Sequence, residues 1–200
     1  MIKVSASALC ASAIVLLSAV QVIAGPPTTR LHGEYYVVGS RTCAYATGFG
    51  QDFGPNFSLP INGGTTRTGH YDGVLRLNGD GTGDFTFNFI QYYFQSISAG
   101  QLPIGAFPGS CMVLYESLPS GLISLTLTQC VGTGTAGAGN GSTWTNDDEV
   151  LTLAATMGGD VVVMSNTEPV VGTTSLNGDS AFAIRRICSR TFTGVRQSIR

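Results

Sequence analysis

The sequence predicts an all-β fold, namely a single antiparallel up-and-down barrel of eight strands held by two disulfides. Apolar and polar residues alternate through most of the chain after residue 24, and that region shows no helical period. Glycine- and asparagine-rich turns separate the alternating segments. The same region holds four cysteines, and an even count is typical of paired cysteines in an exported protein.

Eight segments carry the alternating pattern of an antiparallel sheet with one buried face. In one segment Phe85, Phe87 and Phe89 share a face, and in another Leu125 and Leu127 do so. We therefore expect these side chains to point into the barrel. The predicted strands lie near residues 33–42, 68–78, 83–96, 110–118, 122–131, 148–157, 160–167 and 180–192.

Short turns set the expected register of two hairpins. A Gly-Gly pair at 158–159 predicts a tight hairpin that places Leu153 opposite Met164. A second hairpin, centred on a Pro-Ser-Gly turn, places Leu114 opposite Leu127 and directs both inward. Both registers bring apolar side chains together on the face that is expected to form the core.

The stretch LNGDGTG at 77–83 allows two interpretations. Asn78, Asp80 and Thr82 bear oxygen at alternate positions, as in a calcium-binding loop. An EF-hand loop needs a glutamate at its twelfth position, which here is Phe89. A turn is therefore favoured, with Leu77 facing Phe85 across it. The related stretch LNGDS at 176–180 is interpreted in the same way, as a turn before the last strand.

The four cysteines are expected to form two cross-strand disulfides. The second hairpin places Cys111 directly opposite Cys130. Cys43 and Cys188 then remain, one after the first strand and one in the last. If they pair, the first and last strands are neighbours and the sheet closes into a barrel. Four cysteines allow three connectivities, so this pairing depends on the predicted register.

Residues 1–24 are expected to be a secretory signal peptide. Lys3 precedes a short apolar run at 8–20, and Ala24 ends a segment suited to cleavage. Residues 25–200 then form a single β-barrel domain, in which no apolar run suits a transmembrane helix. The expected location is secreted, either extracellular or periplasmic.

The charge balance argues against nucleic acid as a partner. After residue 24 the chain has twelve acidic residues and nine arginines, so it is weakly negative. Arg185, Arg186, Arg190, Arg196 and Arg200 cluster near the C-terminus, and a solvated strand end is the commoner explanation of such a cluster. The acidic run at 147–149 is likewise expected to be a solvated turn.

No arrangement of residues indicates an enzyme, a metal site or a cofactor. Asp179-Ser180 resembles the nucleophile segment of trypsin-like proteases, but Ala181 stands where the oxyanion hole needs glycine. His32 and His70 are the only histidines, and neither lies in a catalytic or zinc-binding motif. A non-enzymatic role is therefore expected, and the sequence predicts no particular oligomeric state.

Two glycine-rich stretches are expected to be long loops. Residues 46–66 carry Phe49, Phe53 and Phe57, which either cover a binding cavity or pack onto the barrel rim as a structural plug. Residues 131–143 are a Gly/Thr/Ala-rich segment that is expected to be a mobile loop.

The start of the first strand, Gly33-Glu34-Tyr35, resembles the Gly-x-Trp opening of lipocalins, a family of secreted calycin barrels. By that resemblance, Arg185 or Arg186 matches the arginine that packs over the aromatic ring. The resemblance implies an eight-stranded barrel that carries or sequesters a small apolar ligand, entered beneath the 46–66 loop. The ligand-binding residues expected on this basis are Tyr35, Phe49, Phe53, Phe57, Phe85, Phe87, Phe89, Leu125 and Leu127.

Two other interpretations remain open at the level of sequence. A barrel of eight strands is only just wide enough to hold one small ligand, so its core can instead be filled by side chains. The protein would then be a structural or interaction protein that acts through its loops. A small outer-membrane barrel also fits the length, but the cysteines and the polar outward positions Asn88 and Thr126 argue against it.

Overall fold

A computed structural model describes residues 31–46, 52–59, 64–93, 104–137, 139–166 and 171–197. The expected signal peptide, residues 1–24, and Phe49 lie outside these ranges. The described residues form one short 3₁₀ helix, Pro55–Phe57, and twelve β-strands. The strands are β1 (His32–Ala46), β2 (Gly64–Asn78), β3 (Thr82–Tyr93), β4 (Ile104–Ala106), β5 (Gly109–Ser117), β6 (Ile123–Thr133), β7 (Ala136–Gly137), β8 (Thr143–Asn146), β9 (Glu149–Ala155), β10 (Val161–Ser165), β11 (Val171–Leu176) and β12 (Asp179–Arg196).

The strands close into an antiparallel up-and-down barrel with eight positions in its wall. β4 and β5 share the fourth position, β8 and β9 the sixth, and β10 and β11 the seventh. β12 returns to pair with β1 over twelve residue pairs, from Tyr35 opposite Arg196 to Ala46 opposite Arg185. The predicted all-β fold, the eight strands and the closure are thus confirmed. Among the described residues, no helix has the length and apolar character needed to cross a membrane.

The two ends of the barrel differ. The turns at 79–81, 118–122 and 156–160 lie together at one end, called here the closed end. Strands β1, β3 and β6 end at the opposite end of the barrel, at Ala46, Tyr93 and Thr133, and this end is called here the open end. Apolar side chains at alternate positions fill the closed half. They include Leu75, Phe85, Val113, Ile123, Leu125, Leu153, Val162, Met164 and Phe192, all less than a tenth exposed.

Tyr35 links β1 to the 156–160 turn and to β12 at the closed end. Its hydroxyl donates a hydrogen bond to the carbonyl oxygen of Gly159 at 2.7 Å and accepts one from Arg196 Nη2 at 3.0 Å. The Arg196 guanidinium lies 5.5 Å from the Tyr35 ring centroid. The expectation that Arg185 or Arg186 packs over this ring is wrong. Because β12 runs antiparallel to β1, it brings Arg196 to Tyr35 and the other two arginines to the open end.

The two LNGD stretches are both turns, as predicted. In the first, the Asp80 carboxylate accepts hydrogen bonds from the Thr82 backbone nitrogen at 2.9 Å and the Thr82 hydroxyl at 2.7 Å. The turn centres on Asp80, so Phe85 pairs with Leu75 instead of Leu77. This shift of two residues leaves every side chain on its expected face. In the second, Asn177 and its following glycine adopt the positive φ of a tight hairpin.

Of the other two predicted hairpin registers, one is confirmed and one is wrong. Leu153 lies opposite Met164, as predicted. In the β5–β6 hairpin the register shifts by one near Gln129, whose φ is 51°. Beyond this bulge Val113 pairs with Leu127, and Leu114 points outward and is 47% exposed. The inward placement of Leu114 was therefore wrong, because the extra residue in β6 shifts the pairing by one and Leu127 faces Val113 instead.

Both predicted disulfides are present. Cys43 lies directly opposite Cys188 in the β1–β12 ladder, with 4.0 Å between their Cα atoms. Cys111 bonds to Cys130 beside the β5–β6 bulge. The first bond joins residues 145 positions apart and the second joins residues 19 apart. The first therefore constrains far more of the unfolded chain.

We expect the double variant C43A/C188A to lose more stability than C111A/C130A. In the chain-entropy account the 145-residue separation corresponds to about 5 kcal/mol and the 19-residue separation to about 3 kcal/mol. Urea unfolding of both variants and of the wild type measures the difference. An equal or reversed order of the two losses would contradict this assignment.

Candidate functional site

The interior of the barrel is hollow at its open end. A cavity of about 290 Å³ lies there, whereas a cavity among the packed side chains of the closed half measures only about 10 Å³. An eight-stranded barrel has room for one small ligand when its side chains do not fill it. The cavity is lined by Arg41, Tyr45, Arg67, Tyr71, Phe87, Phe89, Gln91, Phe107, Gly139, Ser142, Trp144, Asn146, Thr174, Leu176 and Ile184.

Aromatic rings form one wall of this cavity. Tyr71 stacks on Phe89 with ring centroids 4.4 Å apart, and Phe107 continues the series 6.4 Å from Phe89. The ring centroid of Phe87 lies 6.1 Å from that of Trp144, the single tryptophan of the chain. These rings give the cavity an apolar surface suited to a flat or aliphatic molecule.

Two glycines allow Trp144 to lie flat against the barrel wall. A Cβ atom at Gly109 would lie 2.7 Å from the indole ring, and one at Gly132 would lie 2.4 Å from it. Any larger residue at either position would push the ring into the cavity. Trp144 Nε1 is buried and has no hydrogen-bond partner among the described residues, so the indole retains an unused donor.

Polar side chains from β1, β2 and β3 line another part of the cavity. Arg41 Nη2 donates to Gln91 Oε1 at 2.9 Å and to the Tyr45 hydroxyl at 3.3 Å. The Tyr45 hydroxyl also donates to Gln91 Oε1 at 3.3 Å. The Arg67 guanidinium lies 4.5 Å from the centre of the Tyr45 ring. The cavity therefore combines an apolar wall with a wall of hydrogen-bond donors.

Arg41 is a buried cation whose hydrogen-bond partners among the described residues are all neutral. Its residue is 7% exposed, and its guanidinium carbon lies 4.0 Å from the centre of the Phe89 ring. Its hydrogen bonds go to an amide oxygen and a phenol, and no carboxylate within the described ranges forms an ion pair with it. Charges buried in proteins are normally paired, so this one is unusual.

A second group of charged side chains lines a smaller cavity of about 110 Å³. Arg186 and Arg190, both on β12, make ion pairs with the Glu149 carboxylate at the start of β9. Their side chains are only 2% and 5% exposed. The expectation that these arginines form a solvated strand end is wrong, because alternate positions of β12 face inward along with Cys188.

The acidic run at 147–149 also differs from its expected form. Its first two residues are exposed, as a solvated turn requires, but the Glu149 side chain is 17% exposed and holds both arginines. β8 ends at Asn146 and β9 begins at Glu149, so the run marks a break in the sixth wall position. This break turns the carboxylate inward.

Burial changes the pKa values of this charged interior. Desolvation, reinforced by the positive charge of Arg41, lowers the pKa of Arg186 and of Arg190 to about 10. For Tyr45, burial acts to raise the pKa of the phenol, but the four surrounding arginines outweigh it and lower the pKa below its usual value. The interior thus favours negative charge at Tyr45.

The structure places the nine expected ligand-binding residues in different regions. Phe87 and Phe89 line the cavity. Tyr35, Phe85, Leu125 and Leu127 belong to the packed core instead. Phe53 and Phe57 lie on the 52–59 segment outside the cavity lining, where Phe57 is 50% exposed, and Phe49 is outside the described residues. A ligand-binding role for any of them stays a prediction.

The polar residues of the interior were missed at the sequence level, although their spacing held the signal. Arg41 and Tyr45 flank Cys43 at alternate positions, and Arg186 and Arg190 flank Cys188 in the same way. A disulfide that closes the barrel from within requires these neighbours to face inward as well. Part of the 131–143 segment is strand and not loop, since β6 extends to Thr133 and β7 covers Ala136–Gly137, while Gly141 N donates to the Gly134 carbonyl and Gly134 N donates to the Ser142 carbonyl. The mobility of this segment stays a prediction.

We expect Glu149→Gln to destabilise the fold by about 3 kcal/mol or more. The amide would leave two buried guanidinium groups without a counter-charge, and breaking a buried ion pair is costly. Glu116→Gln, on the exposed side of β5, provides a matched control. Urea unfolding compares the two variants, and equal stabilities would show that the Glu149 pairs contribute little.

We expect Tyr45→Phe to remove a phenol that ionises below the usual tyrosine range. Because the pKa of Tyr45 is lower in the folded than in the unfolded state, the tyrosinate–arginine interaction stabilises the fold at high pH. This stabilisation is complete above about pH 10, the usual tyrosine pKa, and is lost as the pH falls through the lowered pKa. Ultraviolet titration of phenolate absorbance measures the step. Tyr36→Phe, on the outer face of β1, should retain it; a step that survives in Tyr45→Phe would refute the assignment.

Comparison with known proteins assigns no family to this chain. A scan against protein-family models gives no match, and a search of curated proteins gives none either. The interpretation of the cavity therefore rests on its own geometry. That geometry consists of an aromatic wall, a wall of donors and a buried guanidinium between them.

Proposed function

We propose that this protein is a secreted, non-enzymatic binding protein that holds a small ligand with an apolar body in the open-end cavity of its barrel. The observation that carries this proposal is the contrast between the two halves of the interior. A cavity among the side chains of the closed half measures about 10 Å³, whereas the cavity in the open half measures about 290 Å³. Protein interiors are close-packed by default, so a cavity of this size calls for an occupant.

The size and surface of the cavity support a small molecule as that occupant. An apolar cavity of about 150 Å³ binds benzene, so 290 Å³ suits a ligand larger than one aromatic ring. Ligand pockets begin at about 300 Å³ and combine apolar walls with a few polar groups. The rings of Phe87, Phe89 and Trp144 and the donors of Arg41 and Tyr45 supply that combination.

The lipocalin-like character of the fold is part of the same proposal. It is supported by the up-and-down order of eight wall positions and by an arginine, Arg196, over the aromatic residue that opens β1. Secretion is supported by the signal-like composition of residues 1–24 and by the two disulfides.

A structural or interaction role through the loops is the second candidate. It is favoured by the closed half, where apolar side chains are closely packed in the interior of the barrel. This role needs no occupant in the open half. Native mass spectrometry of the protein purified from its secretion medium distinguishes the two, since a small molecule that is lost on unfolding supports the binding proposal.

We expect Leu176→Trp to abolish or strongly weaken ligand retention. Leu176 lines the cavity, so the larger side chain would occupy the space of the ligand. Leu114→Trp makes the same substitution on the outer face, where residue 114 is 47% exposed, and should leave retention unchanged. Retention is compared by native mass spectrometry after incubation with a panel of lipids and aromatic compounds. Equal retention in both variants would exclude the cavity as the binding site.

A further inference from the structure

We propose that the ligand of this cavity is a carboxylate with an aromatic body, whose carboxylate binds Arg41. This inference deepens the proposed function and rests on it. Its basis is the buried positive charge on the polar wall, which the described part of the chain does not neutralise.

The charge of Arg41 lacks a counter-ion among the described residues. Removing a guanidinium from water costs several kcal/mol, which an opposite charge normally offsets. Arg41 is 7% exposed, and its recorded contacts are the Gln91 amide, the Tyr45 phenol and the faces of Tyr71 and Phe89. Contacts with rings and neutral dipoles recover only part of that cost.

The neighbouring arginines do not supply the missing negative charge. Arg186 and Arg190 share the single carboxylate of Glu149, so this group of three side chains is itself positive by one charge. Arg41 lies opposite Arg190 in the β1–β12 ladder, close enough for their charges to repel. An anion next to Arg41 would therefore be attracted by the whole group.

The donors in the cavity match a carboxylate. A guanidinium offers N–H groups in a planar fork that fits the two oxygens of a carboxylate. The Tyr45 hydroxyl lies 3.3 Å from Arg41 Nη2, and its single proton, which is donated to Gln91 Oε1, can be redirected to the same carboxylate. Trp144 adds a buried N–H without a partner among the described residues. One monovalent anion also balances the one unpaired charge of Arg41.

The apolar wall determines the body of the ligand. Tyr71, Phe87, Phe89, Phe107 and Trp144 present ring faces and edges around the remaining space. Aromatic pairs are more stable than the burial of their area alone accounts for, which favours a flat aromatic body over a saturated chain of equal size. The ligand then places its rings against this wall and its carboxylate against Arg41.

The test compares 2-naphthoate with 2-naphthamide, which have the same aromatic body and differ in charge. Isothermal titration calorimetry measures the affinity of the wild-type protein for each. A charge-assisted hydrogen bond contributes about 1.5–3 kcal/mol, so naphthoate should bind at least about tenfold more tightly. Arg41→Met should remove this preference and leave the affinity for naphthamide nearly unchanged, and Arg41→Lys should retain part of it.

Arg76→Met is the matched control. Arg76 lies on the outer face, with a side chain 54% exposed, and pairs with Glu34 and Asp84 far from the cavity. This variant should bind both compounds like the wild type. If Arg41→Met does not fold, the comparison of the two compounds on the wild-type protein still tests the inference without any variant.

The outcomes separate the inference from the function on which it rests. Equal binding of both compounds to the wild type would overturn the carboxylate inference and leave the binding function intact. Loss of the preference in Arg76→Met as well as in Arg41→Met would assign it to surface charge and also overturn the inference. Binding of neither compound, together with no retained ligand in native mass spectrometry, would overturn the proposed function itself.

Discussion

The pairing of β12 with β1 is the constraint on which the rest of this structure depends. Twelve consecutive residue pairs, with Cys43 and Cys188 opposite each other, fix which side chains of both strands face inward. Because facing alternates along a strand, the disulfide carries Arg41, Tyr45, Arg186 and Arg190 into the interior with it. The same register brings Arg196 to Tyr35 at the closed end. The polar character of the cavity is therefore a consequence of how the barrel closes.

The barrel divides its stability and its chemistry between two halves. In the closed half, rings and aliphatic side chains such as Phe85 and Leu125 are packed with almost no free space, and burial of this apolar area is the main source of stability. In the open half, buried guanidinium groups and an open cavity both cost free energy. A fold that keeps such costs in one place has the features of a functional site supported by a separate core.

The sequence was sufficient for the fold because the fold depends on alternation, turns and cysteine spacing, all of which are local. It predicted eight strands, the two disulfides and the facing of Phe87 and Phe89. It failed at Leu114, because an extra residue near Gln129 in β6 shifts the pairing by one and places Leu127 opposite Val113. It also failed at Arg186 and Glu149, since composition alone treats charged residues as solvated, and only the closed register shows that they meet inside.

The break between β8 and β9 affects how the barrel responds to force. The sixth and seventh wall positions are joined by ladder pairs from Thr152 to Ala155 and again from Trp144 to Asn146, and Glu149 lies between these two stretches. Hydrogen bonds weaken steeply once their geometry is lost, whereas an ion pair weakens gradually with distance. Near Glu149 the wall is held across the interior by ionic contacts with Arg186 and Arg190, while β1 and β2 share fifteen consecutive ladder pairs. Within the described residues, this seam therefore combines two short ladders with ionic contacts, whereas β1 and β2 are joined by one unbroken ladder.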